Sequence, residues 1–132
     1  MTRAYDQACP IARTLDIIGD RWTMLIVRDM LLGVARFSDL LARSPGMPPK
    51  VLSSRLKRLM EHGLVEREVY SEHPLRAEYR LTERGQTLRP VMIAIGTWGF
   101  QQLFADEPQV RAAIAEALGD RIPEIRALAE AG

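Results

Sequence analysis

The order of apolar and polar residues predicts a mainly α-helical fold with one small β-hairpin. Three observations support this fold class. Apolar residues recur at helical spacing in four successive segments before residue 63. Two short alternating segments, at 64–70 and 77–81, are then separated by a polar loop that contains a proline, which is typical of a hairpin. A longer helix with one apolar stripe follows Thr82.

The helix boundaries follow from local start and stop signals. We expect the four early helices over residues of about 10–18, 20–33, 36–42 and 49–62. Pro10 suits the first helical position, where its missing N–H costs nothing, and the Asp20 carboxylate can cap the second helix. Gly63 can end the fourth helix in the left-handed conformation. The long helix should run from Thr82 to about 105, with two shorter helices on either side of Gly119.

The composition is that of a folded domain with one hydrophobic core: the chain has 132 residues, 47% of them apolar. The N-terminus lacks the apolar segment of a secretory signal, and the longest apolar stretch, Val91 to Phe100, is too short for a membrane span. Cys9 is the one cysteine, so no intramolecular disulfide can form, and we expect a cytoplasmic location. His62 and His73 lack the neighbours of a metal site, and we expect no cofactor.

The third and fourth helices are joined by a tight turn and followed directly by the hairpin, which is the layout of a winged helix-turn-helix. One face of the fourth helix is apolar and can enter the core through Leu52, Leu56, Leu59 and Met60. The opposite face is polar and basic, with Lys50, Ser54, Lys57 and Arg58, Val51 beside them, and Ser53 and Arg55 on the flanks. Such a face can neutralise phosphates and hydrogen-bond base edges in a major groove.

Basic residues are concentrated around this helix, although the whole chain has a net charge of only +1. Residues 36–60 contain six basic residues and one acid, a net +5, whereas residues 105–132 contain three basic residues and six acids, a net −3. A local positive region is typical of a nucleic-acid site. An ordinary amphipathic helix with a solvated basic face would show the same pattern.

The hairpin loop offers a second contact with flanking phosphates or the minor groove through His73 and Arg76. The predicted partner is therefore double-stranded DNA. The candidate DNA-binding residues are Arg36, Lys50, Val51, Ser53, Ser54, Arg55, Lys57, Arg58, His73 and Arg76.

Two runs of residues resemble the HxlR-type regulators in order and spacing. The first comprises Cys9-Pro10, Gly19-Asp20-Arg21-Trp22-Thr23, Ile26, Arg28, Arg36-Phe37, Leu40, Leu52-Ser53-Ser54-Arg55-Leu56, Leu59, Gly63-Leu64-Val65 and Arg67. The second comprises Pro74, Glu78-Tyr79, Leu81-Thr82, Gly85 and Trp98-Gly99. The resemblance covers residues 8–104, and residues 105–132 are expected to form a helical extension beyond it.

The resemblance implies a winged-helix repressor or activator, with repression expected, that binds a palindromic operator as a homodimer. It places the dimer interface on long terminal helices, the first and the fifth. The apolar candidates there are Ile11, Leu15, Leu88, Val91, Met92, Ile95 and Trp98. Pro48 departs from the pattern, because such proteins usually have a Ser, Thr or Asn cap before the recognition helix. Either the start of that helix is shifted or its cap is lost.

Cys9 is a candidate sensor, because a thiol at a helix N-terminus lies at the positive end of the helix dipole, which can make it a better nucleophile. In members of the resembled family that respond to oxidants or electrophiles, a cysteine at this place is the sensor. The alternative is a small buried hydrophobic residue. A small-molecule or electrophile effector is therefore a possible partner. Trp22 and Trp98 could line an effector pocket or, as ordinary aromatics, the core and the dimer interface.

Three other classes of protein remain alternatives. A winged-helix protein-interaction module would use the same elements, although its interface core would be depleted in lysine and richer in aromatics. A MarR-like regulator shares the winged helix but dimerises through different terminal helices. An enzyme would need a nucleophile–base pair, paired carboxylates or metal ligands, and the sequence shows none with suitable spacing.

Overall fold

The computed structural model describes residues 8–131. Within them the chain forms eight helices and a two-stranded antiparallel sheet. In chain order these are α1 (Pro10–Ile18), α2 (Thr23–Leu31), α3 (Phe37–Arg43), α4 (Pro49–Glu61), β1 (Val65–Glu72), β2 (Leu75–Leu81), α5 (Glu83–Gln86), α6 (Arg89–Leu103), α7 (Pro108–Leu118) and α8 (Pro123–Ala131). The predicted class, a mainly α-helical fold with one hairpin, is confirmed.

The chain divides into two compact units, one up to Thr87 and the other from Leu88. The core of the first unit is formed by apolar residues that recur three or four positions apart on its helices. They are Ile26, Val27 and Met30 of α2, Leu40 of α3, and Leu52, Leu56 and Leu59 of α4, all buried. Since this spacing places the side chains on one face of each helix, burial of that face holds α2, α3 and α4 together. The predicted inner face of α4 is confirmed, except that Met60 is only half-buried.

The hairpin continues from α4 through Leu64 and is tied to the helices by backbone hydrogen bonds. Val65 pairs with Leu81, and the register shifts between Val69 and Ser71. The backbone N–H of Tyr79 also donates to the carbonyl of Ala35, 2.8 Å away, in the segment between α2 and α3. The strands are longer than the sequence predicts, because pairing extends to Glu72 and Leu75 and shortens the loop.

The predicted long fifth helix is two helices. Thr82 caps α5, and its side chain accepts a hydrogen bond from the backbone N–H of Gly85 at 3.0 Å. The chain then turns, and α6 begins at Arg89 with Leu88 as its N-cap. Pro90 explains the interruption, since it has no N–H to donate to the carbonyl of Gln86 and suits the first turn of a new helix.

The start of the second helix also differs from the sequence prediction. The second helix begins at Thr23 and not at Asp20, whose carboxylate instead accepts hydrogen bonds from the backbone N–H groups of Trp22 and Thr23 at 3.1 and 3.2 Å. α1, by contrast, has the predicted bounds, with nine residues, Cys9 as its N-cap and Pro10 in its first turn. Among the helices of residues 8–131, α6 is the longest, with 15 residues.

The second unit consists of α6, α7 and α8. Arg111 of α7 donates a hydrogen bond to the carbonyl of Phe100 at 2.8 Å, and its guanidinium lies 4.1 Å from the centre of the Phe100 ring. Arg89 donates to the carbonyl of Arg121 at 3.1 Å, which links the start of α6 to the segment before α8. The predicted helices on either side of Gly119 are confirmed. The division into compact units falls between Thr87 and Leu88 of the chain. The domain boundary at 104/105 stays a prediction from the sequence.

Candidate nucleic-acid interface

The turn between α3 and α4 sets the position of the candidate recognition helix, α4. Gly46 has φ +92°, a left-handed conformation that suits glycine, and Ser44 and Met47 beside it are buried. The carbonyl of Pro48 accepts the first hydrogen bonds of α4, from the backbone N–H groups of Val51 and Leu52 at 3.0 and 3.2 Å. Pro48 is thus the N-cap, and no side chain caps the helix. The start of the helix is not shifted; the side-chain cap is lost.

The open face of α4 is small, polar and positively charged. We define the reading face as Lys50, Ser53, Ser54 and Lys57, all of which are exposed. Val51 is half-buried at its border. The lysines are point charges on flexible stems and the serines are short hydrogen-bonding groups. This combination can meet both phosphates and base edges.

Arg55 lies at the side of this face and is engaged within the protein. Its Nε donates to Oδ2 of Asp20 at 2.8 Å, and its Nη1 donates a longer hydrogen bond to the Ser54 hydroxyl at 3.3 Å. Both members of the Arg55–Asp20 pair are about three-quarters buried, with side-chain exposures of 25% and 24%. Arg55 therefore joins α4 to the loop between α1 and α2.

Arg58 is not on the open face, contrary to the sequence prediction. Its guanidinium donates to the backbone carbonyl of Asp16 in the last turn of α1, and the side chain is half-buried. The helical angle of Arg58 points toward the outer face, but the long side chain bends back toward α1. The last four carbonyls of a helix have no partner within it, so a cation at this end is favourable.

Hydrogen bonds around Asp20 hold its carboxyl in the charged state. Burial alone would raise the pKa of Asp20, but hydrogen bonds from Thr23, Arg55 and the backbone N–H of Trp22, together with the charge of Arg55, outweigh it. The pKa of Asp20 is therefore below its ordinary value. The carboxylate is charged and fixed at neutral pH.

The hairpin carries the other candidate contacts. His73 is exposed in the turn, and Arg76 is exposed near the start of β2, paired with Ser71. Arg36, the N-cap residue of α3, has its Nε 3.9 Å from a carboxylate oxygen of Glu78, and its guanidinium lies 5.8 Å from the centre of the Tyr70 ring. Arg36 is thus tied loosely to the hairpin while its side chain remains more than half exposed, at 56%.

A buried acid on α2 was missed by the sequence analysis. Asp29 is fully buried, and its carboxylate accepts hydrogen bonds from Arg28 at 3.0 and 3.2 Å and from Arg43 at 3.2 Å. The cluster joins α2 to the last residue of α3 and neutralises a charge that would otherwise be costly to bury. The sequence did contain a signal for this cluster, since Asp29 lies among the apolar residues of α2. Arg43, counted in the positive region, is therefore an internal partner.

The candidate dimer-interface residues carry exposed apolar groups on two helices. On α1, Ile11 and Leu15 are exposed, by 71% and 43%. On α6, Val91, Ile95 and Trp98 lie along one stripe and are exposed by 36%, 53% and 62%. Met92 and Leu88 are half-buried, and Leu88 precedes the helix. Each stripe by itself is an apolar face open to solvent, which is typical of an interaction surface.

Cys9 is exposed at the N-cap position of α1 and makes no side-chain cap hydrogen bond. It is thus not the buried hydrophobic residue that was the alternative. Trp22 is half-buried, with the Arg21 guanidinium 4.7 Å from its ring centre. Among residues 8–131, no group of three histidine, cysteine or acidic side chains is placed to hold a metal ion. In the same part of the chain, no helix has the length and apolar character needed to cross a bilayer.

The helix–turn–helix of α3 and α4, followed by the β1–β2 hairpin, defines a winged helix-turn-helix protein. The model of the HxlR-like helix-turn-helix family matches residues 17–107. The chain belongs to this family, as the resemblance predicted.

Relatives and solved structures agree with this assignment. The HTH-type transcriptional regulator Rv3095 of Mycobacterium tuberculosis is 46% identical over 93 residues, which are 70% of this chain but only 58% of that protein. The solved structure of PA1607 is 42% identical with a TM-score of 0.69, covering 80% of this chain and 73% of that one. The redox regulator HypR in its reduced form is 36% identical with a TM-score of 0.66, covering 69% and 90%. These relatives are regulators and not enzymes where a function is named.

Proposed function

We propose that this protein is a sequence-specific DNA-binding transcriptional regulator, expected to act as a repressor, that binds a palindromic operator as a homodimer in the cytoplasm. The observation that carries the proposal is the reading face on α4. Its residues, Lys50, Ser53, Ser54 and Lys57, are all exposed, and the opposite face of the helix is buried in the core. A protein-binding surface would be poorer in lysine and richer in aromatic residues, which disfavours the interaction-module alternative.

The division of work on this face follows from the chemistry of its side chains. Lys50 and Lys57 can neutralise phosphates on either side of a major groove. This electrostatic attraction gives affinity without sequence preference. Ser53 and Ser54 are short enough to let the helix approach the bases, and their hydroxyls can donate to or accept from base edges. His73, Arg76 and Arg36 would add contacts from the hairpin side.

A homodimer accounts for the exposed apolar stripes. Ile95 and Trp98 on α6, and separately Ile11 on α1, are each more than half exposed. A two-fold dimer that covers such faces would place its two recognition helices about 34 Å apart, one turn of DNA, and would need an inverted-repeat site.

The experiment is to sequence the genomic fragments that the purified protein retains and then to measure its affinity for a recovered site. We expect specific binding to exceed binding to unrelated DNA of equal length by at least about a thousandfold. A scrambled site of the same base composition is the control. Equal affinity for both duplexes would refute the DNA-binding proposal and would favour a protein partner.

Cys9 supports a second proposal, that the regulator responds to oxidants or electrophiles. It is exposed at the start of α1, and HypR, to which the chain is similar, is named a redox regulator. With one cysteine per chain, two thiols from different molecules would give up two hydrogens to diamide and form a disulfide. An electrophile such as a quinone would instead form an adduct with the thiol.

Operator affinity with and without diamide or a quinone, in the parent and in Cys9→Ser, tests this second proposal. We expect the parent to change its affinity about tenfold, which corresponds to a coupling of about 1.4 kcal/mol, and the serine variant to stay unchanged. The same response in both proteins would refute a sensor role for Cys9. It would leave a small-molecule effector, bound elsewhere, as the remaining route for a signal.

A further inference from the structure

We propose that Arg55 and Asp20 form a positioning clamp for the recognition helix, and that Arg55 is not itself a DNA contact. The proposal rests on the proposed DNA-binding function of α4. It assigns to Asp20, in the loop between α1 and α2, a role in DNA binding although this residue is not on the reading face. It also reassigns Arg55, one of the candidate DNA-binding residues.

The first support is the geometry of α4. Arg55 and Arg58 are three positions apart and therefore neighbours on one side of the helix. Both extend away from the reading face to the same part of the chain: Arg55 binds the Asp20 carboxylate at 2.8 Å, and Arg58 binds the carbonyl of Asp16. The end of α1 and the loop after it thus hold α4 at two points one turn apart.

The second support is that the Asp20 carboxylate is itself immobilised. It accepts hydrogen bonds from two backbone N–H groups at the start of α2 and from the hydroxyl of Thr23, which is buried. A carboxylate with these partners has little freedom to follow a moving guanidinium. Arg55 is therefore anchored to the first turn of α2, and the low exposure of the pair protects it from screening by solvent and salt.

The third support is the connection from the clamp to the reading face. The same guanidinium that binds Asp20 donates to the hydroxyl of Ser54, an exposed member of the reading face. When the Ser54 oxygen accepts this hydrogen bond, its own proton remains available for another acceptor. The clamp thus positions the helix and also orients one of the side chains that would meet base edges.

A direct phosphate contact by Arg55 makes the opposite prediction for Asp20. If the guanidinium left Asp20 to bind a phosphate, the carboxylate would compete with DNA, and neutralising it would strengthen binding. In the clamp, loss of either partner weakens binding by the same mechanism. The variants Asp20→Asn and Arg55→Gln therefore separate the two roles, because asparagine can still accept the backbone hydrogen bonds at the start of α2.

The experiment measures operator affinity against salt for the parent, the two single variants and the double variant, at a temperature where circular dichroism shows all to be folded. We expect each single variant to bind the operator about five- to tenfold more weakly than the parent. The double variant should bind no more than about twofold more weakly than whichever single variant has the lower affinity. The slope of log affinity against log salt should equal that of the parent, because no phosphate contact is removed. Arg126→Gln, which breaks an arginine–aspartate pair in the second unit, is the matched control and should bind like the parent.

Three results would overturn the clamp. Unchanged affinity in both single variants would show that the pair does not position α4. Arg55 would instead be a phosphate contact if Arg55→Gln reduced the slope of log affinity against log salt while Asp20→Asn bound the operator as tightly as the parent or more tightly. Unchanged amide hydrogen exchange along α4 in the DNA-free variants would refute the clamp without reference to DNA. Failure of the proposed function has a different signature, which is that the parent itself does not distinguish its operator from unrelated DNA.

Discussion

Lys57 and Arg58 are adjacent basic residues on α4 for which the structure predicts opposite phenotypes. Lys57 is exposed on the reading face, whereas the Arg58 guanidinium binds the carbonyl of Asp16. Lys57→Ala should weaken DNA binding and leave folding intact. Arg58→Ala should lower the free energy of unfolding and leave the salt dependence of binding unchanged. Each variant is the control for the other, since both remove one positive charge from the same turn.

The magnitude for Lys57 follows from counterion release. Each phosphate contact contributes about 0.9 to the slope of log affinity against log salt, and a two-fold dimer carries two copies of Lys57. Lys57→Ala should therefore reduce the slope by about 1.8. Between about 50 and 200 mM salt, a fourfold change, the affinity difference between parent and variant should shrink about twelvefold. A reduction of only about 0.9 would indicate one lysine contact per complex.

The magnitude for Arg58 follows from the hydrogen bond it makes. Hydrogen bonds that involve a charged group contribute about 1.5–3 kcal/mol, and Arg58→Ala also uncovers a carbonyl at the end of α1. We therefore expect Arg58→Ala to lower the free energy of unfolding by about 1.5–3 kcal/mol, with a lower urea midpoint of unfolding.

Fluorescence anisotropy across the salt range and urea unfolding of each variant would provide the two measurements. A parental slope in Lys57→Ala, or a reduced slope with parental stability in Arg58→Ala, would show that the assignment of these two side chains is wrong.

Three further predictions concern the fold and its assembly. Gly85→Ala should lower the free energy of unfolding by more than about 3 kcal/mol, because the added Cβ would lie 2.0 Å from the carbonyl oxygen of Leu64. Urea unfolding measures this loss, and Gly96→Ala, whose added Cβ would meet nothing within 4 Å, is the control. Ile95→Asp should give a monomer by light scattering, and a persistent dimer would contradict an interface on α6. The pKa of Asp20 is lowered in the folded state, so the stability that its charge contributes is complete above about pH 4 and is lost as the pH falls through the pKa of the folded protein. The difference in unfolding free energy between the parent and Asp20→Asn should therefore shrink below about pH 4, and a difference independent of pH would contradict this.

Much of the first unit was predictable because its helices carry a clear apolar period. Leu52, Leu56 and Leu59 are buried as their spacing requires, and the hairpin lies where alternation and a proline-containing loop predict it. The break before α6 was also available from the sequence, since Pro90 cannot complete a helical hydrogen bond with Gln86. The apolar stripe on both sides of it favoured one continuous helix and obscured that signal.

The internal partners of the arginines were not predictable from helical angles. The partners of Arg55 and Arg58 lie 35 and 42 residues earlier in the chain, and only the folded structure brings them together. A helical angle gives the direction of the Cα–Cβ bond, but a long side chain can carry its charge several ångströms to either side. Asp29 was hidden for a related reason, because its arginine partners make an acid compatible with a buried helix face.

Within residues 43–58 the arginines and the lysines have different partners, which follows from their chemistry and changes the meaning of the positive region. Arg43, Arg55 and Arg58 use planar, multi-donor guanidinium groups for fixed internal bonds, whereas Lys50 and Lys57 keep compact, hydrated charges at the surface. The net charge of residues 36–60 therefore overstates the number of phosphate contacts that α4 can make. Arg55 and Arg58 hold α4 in place, and Lys50 and Lys57 are the charges on α4 that remain for the proposed DNA contacts.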